Sequence, residues 1–304
     1  MAVKTVQAVI NGVTTTLTYN STSKKYEATI TAPATSSYNN NDGHYFPVTI
    51  KATDEAGNVT TKNDTDATLG SSLQLRVKEK TAPAITITYP TASALIINNK
   101  PAIRWKVTDN DSGVNPDTIG ITIDSGSKVA GSAITKTAIT GGYDCTYTPT
   151  AALADGSHTI KVDAADNDGN AATQKSVTFK IDTVPPTLNV TAPVNGLITN
   201  KAACTVTGTT NDITSSPVTV TVKLNSGTAE AVPVGADGSF SKALTLAAGS
   251  NTITVVATDS AGKSTTVVRT VTLDTVAPTI RAVTLTPNPV DAGKTYVISV
   301  EVTD

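Results

Sequence analysis

The residues with the most chemical capacity in this chain are carboxylates set in glycine-bearing turns. One stretch reads Asp109-Asn110-Asp111-Ser112-Gly113, and another reads Asp166-Asn167-Asp168-Gly169-Asn170. Turns so rich in oxygen offer hard ligands to a cation such as calcium. The same residue types also build plain turns, because Asp and Asn bond their own backbone and Gly accepts positive φ. The sequence leaves both readings open, with Asp109, Asp111, Asp166 and Asp168 as the candidate calcium ligands. Asp212 and Asp259 repeat the arrangement more sparsely. Other chemistry is scarce. The two histidines, His44 and His158, stand in no nucleophile motif, and no phosphate loop, zinc spacing or paired-carboxylate motif is present. A convergent catalytic site is therefore not expected, and the chain reads as a non-enzyme.

A second candidate is Ser36 to Phe46. It gathers Tyr38, Tyr45 and Phe46, in a chain with 8 Tyr, 3 Phe and 1 Trp, beside Asn40, Asp42 and His44. Aromatic faces with amide and carboxylate partners suit a sugar, and functional residues collect on loops held by a rigid scaffold. The competing reading packs Tyr45 and Phe46 beneath their own loop and leaves the Asn run as a solvated tip.

The elements that must hold these residues are strands. Thr and Val are abundant, and both favour the pleated sheet. Apolar and polar residues alternate in short runs broken by Gly, Asn and Asp, as at Val6, Ala8 and Ile10 or at Ile103, Trp105 and Val107. Trp105 reads as core. Helical periodicity is absent. A formal charge of −2 in 304 residues leaves no footprint for nucleic acid or an anionic membrane. No apolar run is long enough to span a bilayer. The N-terminal residues Met-Ala-Val-Lys-Thr-Val-Gln do not form a signal peptide. Cys145 and Cys204 fall at unrelated positions and read as small buried apolar residues.

The chain repeats itself. Asp274-Thr-Val-Ala-Pro-Thr-Ile280 returns as Asp182-Thr-Val-Pro-Pro-Thr-Leu188 and, more loosely, as Glu79-Lys-Thr-Ala-Pro-Ala-Ile85. Upstream of each stands Ala257-Thr-Asp-Ser-Ala-Gly-Lys263, Ala164-Ala-Asp-Asn-Asp-Gly-Asn170 or Ala52-Thr-Asp-Glu-Ala-Gly-Asn58. With about seven strands in each period of about 100 residues, these motifs resemble bacterial Ig-like tandem repeats. The resemblance covers the whole chain. It implies an all-β fold, a rod of tandem immunoglobulin-like sandwiches without the Cys–Trp–Cys core of antibody domains. It also implies the settings where such repeats occur: tail or capsid proteins of bacteriophages, and bacterial surface adhesins.

The repeats divide the chain into residues 1–80, 81–183, 184–275 and 276–304. Ile30 matches Leu244, 214 positions on, and Ile50 matches Ile253, 203 positions on, which makes 11 residues the length of the insertion in the first unit. In this register residues 1–80 lack the two opening strands of a sandwich, and residues 276–304 carry those two strands alone. Ile298, Val300 and Val302 then match Ile103, Trp105 and Val107. The tail is expected to complete the first unit of another copy by strand addition, giving a head-to-tail ring or fibre; a boundary within a longer array accounts for the same pattern. The leading functional expectation is a structural or host-attachment component of a phage or prophage particle, tail-associated, in a virion or at a cell surface. Its partners would be copies of itself, other virion proteins or a cell-surface glycan, with no nucleic acid and no membrane insertion. The alternatives are an adhesin or extracellular fibre subunit, and a carbohydrate-binding accessory segment of a larger enzyme.

Overall fold

A computed structural model describes residues 2–304. The chain forms two compact units, Met1–Ile181 and Asp182–Asp304. Its described elements are strands, apart from two short 3-10 turns at Gly70–Leu73 and Gly131–Ala133. No helix is long and apolar enough to cross a membrane among the described residues. The tandem immunoglobulin-like architecture is as the repeats imply.

The first module contains β1 (Val3–Ile10), β2 (Val13–Asn20), β3 (Lys25–Glu27), β4 (Phe46–Asp54), β5 (Val59–Lys62) and β6 (Gln74–Leu75). They form one sheet in the order β3-β2-β1-β4-β5, with β6 paired to β4. One expectation needs correction here. Val6 pairs with Ala52, and Val220, 214 positions on, pairs with Ala257, which is 205 positions beyond Ala52; the insertion is therefore nine residues, not eleven. The closing strand is broken. Between β5 and β6 the chain loops out around Asp66, whose carboxylate accepts Lys62 Nζ at 2.5 Å and the amides of Thr68 and Leu69 at 3.0 Å each. These donors hold the Asp66 carboxyl well below the usual range, the Lys62 ammonium most of all.

The second module contains β7 (Ala84–Tyr89), β8 (Leu95–Ile96), β9 (Ile103–Thr108), β10 (Val114–Ile123), β11 (Val129–Ala130), β12 (Thr135–Ile139), β13 (Gly142–Tyr147), β14 (Gly156–Asp166) and β15 (Lys175–Ile181). Two sheets, β12-β13-β9-β7 and β11-β10-β14-β15-β8, enclose the core. Alternation decides which side chains enter it. Along β9 the inward residues Ile103, Trp105 and Val107 are fully buried while Arg104 and Lys106 are exposed. Facing them from the other sheet are Ile119, Ile121, Ile160, Val162 and Phe179.

The third module repeats this plan with β16 (Thr187–Ala192), β17 (Leu197–Thr199), β18 (Ala203–Asn211), β19 (Thr219–Leu224), β20 (Glu230–Val232), β21 (Ser239–Thr245), β22 (Gly249–Thr258) and β23 (Ser264–Leu273). Its sheets run β16-β18-β21 and β17-β23-β22-β19-β20. The last segment is a hairpin of β24 (Thr279–Thr286) and β25 (Val297–Thr303), paired only with each other.

The second and third modules fill one equivalent place in opposite ways. Trp105 of β9 lies across from Cys145 of β13, large against small. In the third module Gly208 of β18 lies across from Phe240 of β21, small against large. The members trade size, with the bulky residue on β9 in one module and on β21 in the other, although Trp plus Cys fills more volume than Gly plus Phe. Cys145 is thus a space-filling thiol, and burial pushes it up to about 11. Both cysteines are free, Cys145 buried and Cys204 half-buried.

A Cβ at Gly208 would sit 2.5 Å from the Phe240 ring and 2.4 Å from the Asn189 carbonyl oxygen. Gly208→Ala should destabilise the third module by about 1–3 kcal/mol in urea unfolding. Adding Phe240→Leu should recover only part of the loss, because the Asn189 carbonyl still stands in the way. Full recovery, or no loss at all, would contradict this account of the pair.

Candidate functional site

The carboxylates named from the sequence do come near one another, but in a different set. Glu79, Asp109 and Asp166 place one carboxylate oxygen each within 4.8 Å of the others. Each comes from a distinct part of the second module. Glu79 lies on the segment entering it, Asp109 follows β9, and Asp166 ends β14. Asp109 Oδ1 accepts the amides of Asp111 at 3.0 Å and Gly113 at 2.8 Å. Asp166 accepts the Asn170 amide and side-chain Nδ2, both at 2.7 Å. Glu79 Oε1 accepts the Ser112 amide at 2.7 Å. Burial raises the Glu79 carboxyl; Ser112 opposes the rise, and the charges of Asp109 and Asp111 add to it.

Asp111 and Asp168 do not join this cluster. Asp111 Oδ1 accepts the Ser36 amide at 2.8 Å, and its carbonyl accepts Asn39 Nδ2 at 2.5 Å. Asp168 Oδ2 accepts the Glu79 amide and its carbonyl accepts Lys78 Nζ, each at 3.0 Å. The reason is local. Asp109 folds back over its own turn, which directs the residue two further on toward the first module. These two aspartates therefore brace the first module and its linker. Glu79 was the residue that sequence reasoning missed, although it opens the repeated linker motif where Asp182 and Asp274 stand in the later copies.

The third module has the same triad. Asp182, Asp212 and Asp259 again bring carboxylate oxygens within 4.8 Å of one another, from the entering segment, the loop after β18 and the turn after β22. Asp212 Oδ1 accepts the Thr214 amide at 2.8 Å and the Ser215 amide at 2.7 Å. Asp182 accepts the Val184 amide at 3.2 Å and the Ser215 hydroxyl. Asp259 Oδ1 accepts the Lys263 amide at 2.9 Å. The sequence pointed to Asp212 and Asp259 only. Both triads consist of oxygen donors, the kind that hard divalent cations take.

The inserted loop spends its chemistry on itself. Tyr38 and His44 stack at 4.0 Å, and His44 Nδ1 lies 2.5 Å from the Tyr38 carbonyl. Asn40 and Asn41 both donate to the Tyr45 carbonyl at 2.8 Å. Tyr45 donates its hydroxyl to Asp64 at 3.0 Å, Phe46 is buried, and Asp42 is exposed. The six candidates do not converge on one cavity. Tyr38 and His44 alone line a shallow groove of about 200 Å³ with Arg76, Lys78 and Asp168.

His158 is likewise structural in its contacts. Its Nδ1 lies 2.8 Å from Asp124 Oδ2, its Nε2 lies 2.7 Å from the Ala154 carbonyl, and the ring tilts against Phe179. Burial pushes its pKa down, but the Ala154 carbonyl and the Asp124 carboxylate outweigh that and leave it raised.

Two family models match the chain. Residues 91–183 match the bacterial Ig-like domain, and residues 186–275 match the model described as glucodextranase, domain B. These are Ig-like repeats. No curated protein sequence matches. Among solved structures, fibronectin(III)-like modules of Clostridium thermocellum CbhA are 18% identical, with 63% of this chain and 94% of that one covered and a TM-score of 0.32. An I-band fragment of titin is 12% identical, with coverage of 90% and 88% and a TM-score of 0.44. Immunoglobulin domains 1–4 of Sidekick-1 are 10% identical, with coverage of 90% and 68% and a TM-score of 0.37. At such scores the likenesses carry no functional argument.

The His158 contacts make a pH prediction. Both ring nitrogens face acceptors, and only the imidazolium donates to both. A raised folded-state pKa contributes stability that is fully present below the unfolded value near 6.5 and is lost as pH rises through the folded value. The melting temperature of the second module should fall across that window, by the equivalent of about 1 kcal/mol. His158→Gln should flatten the profile. A wild-type profile already flat across the window would refute it.

Proposed function

We propose that this chain is a non-catalytic structural protein of a phage or prophage particle, tail-associated, whose Ig-like modules link copies of the chain head to tail. The observation that carries the reading is a pair of uncovered apolar faces that match in register. In the third module Ile253, Val255 and Ala257 are fully buried, whereas their first-module counterparts Val48, Ile50 and Ala52 are only half-buried. Beside them a groove of about 170 Å³ opens among Ala8, Ile10, Val13, Ile30 and Pro33. On β25, Ile298, Val300 and Val302 are 57%, 49% and 53% exposed, whereas the matching Ile103, Trp105 and Val107 of β9 are 0% exposed.

The register is specific. Ile280 pairs with Val302 as Ile85 pairs with Val107 and Leu188 with Thr210. Val300 thus holds the place of Trp105 and Gly208, and Tyr26 holds that of Cys145 and Phe240. Strand addition would set Val300 of one copy opposite Tyr26 of another. Covering the exposed half of three aliphatic side chains is worth on the order of 2–5 kcal/mol before the cost of association. The same pairing would gather Asp274 and Asp304 of one copy with Asp54 of the next, the three positions of the carboxylate triad. Asp54 already accepts the Asn58 amide at 2.8 Å, as Asp166 accepts that of Asn170. Asp274 accepts the Val276 amide at 2.9 Å, as Asp182 accepts that of Val184.

A second reading has one observation in its favour. The match of residues 186–275 to a glucodextranase domain B favours an accessory segment of a carbohydrate-active enzyme, with glycan as the ligand.

Sedimentation of the full chain across a concentration series tests the first reading. It should associate, Val300→Lys should abolish association, and Tyr26→Cys with Val300→Cys should form an intermolecular disulfide under oxidation. A monomer at every concentration, with no cross-link, would sink self-assembly and leave the glycan reading to be tested by binding.

A further inference from the structure

We propose that Asp182, Asp212 and Asp259 form a calcium-binding site that fastens the segment entering the third module to the two loops at that end of the sandwich. Three observations converge. The carboxylates place one oxygen each within 4.8 Å of the others. Asp182 is 1% and Asp259 is 6% exposed, so two of the three charges are removed from solvent. Asp259 Oδ2 is shielded and accepts no hydrogen bond, although Oδ1 of the same carboxylate takes the Lys263 amide. A buried carboxylate oxygen with no donor is costly, and here it stands within a cluster of like charge.

No described Lys or Arg offsets that charge. The ion pairs among the described residues include Lys62–Asp66, Lys128–Asp163, His158–Asp124 and Lys242–Glu230, and none of these involves the triad. Backbone amides and the Ser215 hydroxyl fix the orientation of the three carboxylates; Oδ2 of Asp212 and Oδ2 of Asp259 take none of these bonds, and the two oxygens of Asp182, each with one donor, keep a second lone pair for a ligand. Three carboxylates without His or Cys disfavour zinc or copper and suit a hard cation. Calcium fits better than magnesium, because it accepts an irregular shell of six to eight oxygens completed by carbonyls and water.

The loops are already joined on one side, since the Ser260 amide donates to the Ser215 carbonyl at 3.0 Å. The cation would add the entering segment, so that Asp182 is held by the module it precedes. The equivalent triad of Glu79, Asp109 and Asp166 sits beside Ser112, whose hydroxyl is likewise buried without a partner.

The test is calcium titration of the full chain after chelation, read by calorimetry and by amide NMR shifts. Calcium should raise the melting temperature, shift the amides of Thr214, Ser215 and Lys263, and do so at concentrations where magnesium does not. Asp259→Asn keeps the shape and should weaken calcium binding to this site at least tenfold. Asp212→Asn, at a half-buried position, provides a second variant that is less exposed to folding defects. Asp237→Asn, on an unrelated turn, should change nothing. No binding at millimolar calcium would overturn the proposal. So would equal responses to calcium and magnesium, which indicate charge screening only, or binding that survives Asp259→Asn and Asp212→Asn but is lost in Asp166→Asn.

Discussion

The structure depends on one local interaction, a carboxylate folded back over the backbone amides of its own turn. Asp54, Asp109, Asp166, Asp212 and Asp259 each make it, and each stands where a strand stops and the chain must reverse. A strand end leaves amides without ladder partners, and an aspartate two to four residues upstream satisfies them while keeping its own charge. The glycines at 57, 113, 169 and 262 carry positive φ in these same turns, which a residue with a Cβ would adopt only under strain. Because every module uses the same device at the same end, negative charge accumulates there. Turn chemistry alone explains each aspartate singly. It does not explain why Asp259 keeps one oxygen buried and unmatched.

The cores contribute little surplus. They are aliphatic, with a single tryptophan in the chain, and two layers of short strands leave no thick interior. The exchange of size between Trp105–Cys145 and Gly208–Phe240 shows how such cores are kept full: each strand pair sets a large residue against a small one, and the two modules place the large one on opposite strands. A module with one sheet uncovered is a larger departure. The first module is held partly by its neighbour, through Asp111 to Ser36 and Asn39, and through Asp168 to Glu79. Those polar bonds order the inserted loop and the linker, while Ile50 and Ala52 stay half-buried.

Fold class was legible because it rests on period-two alternation and on turn residues, both local properties. β9, with Ile103, Trp105 and Val107 turned inward, reads directly from the chain. The broken closing edge of the first module did not, because Leu73, Leu75 and Val77 alternate as a strand would while Asp66 diverts the backbone upstream of them. The insertion length was misjudged for a similar reason. Ile50 and Ile253 look equivalent as types, but the ladder aligns Ile50 with Val255, and only pairing reveals that. The carboxylate triads were half legible. Acidic turns are visible in sequence, whereas the third member comes from a linker far away along the chain, and nothing local marks Glu79 or Asp182 as facing those turns. In the same way, Asp111 and Asp168 share the composition of true triad members and differ only in which side of the turn they occupy.

The triads also bear on how the modules could assemble. Three carboxylates brought together from two molecules repel one another, and burying them adds the cost of desolvation. Joining Asp54 to Asp274 and Asp304 would therefore be opposed by charge even as Ile298, Val300 and Val302 lost their exposure. A cation that bound the joined state alone would reverse that sign, and by linkage would raise the apparent affinity in proportion to its own concentration over its dissociation constant. The intact triad of the third module has no such dependence on a partner, since Asp182, Asp212 and Asp259 already lie together within one compact unit. Calcium would then act on the two kinds of site differently: as a stabiliser of a finished fold at Asp259, and as a condition of association at Asp54. The apolar face sets how strongly two copies could hold, and the charged end sets the ionic conditions under which they would meet.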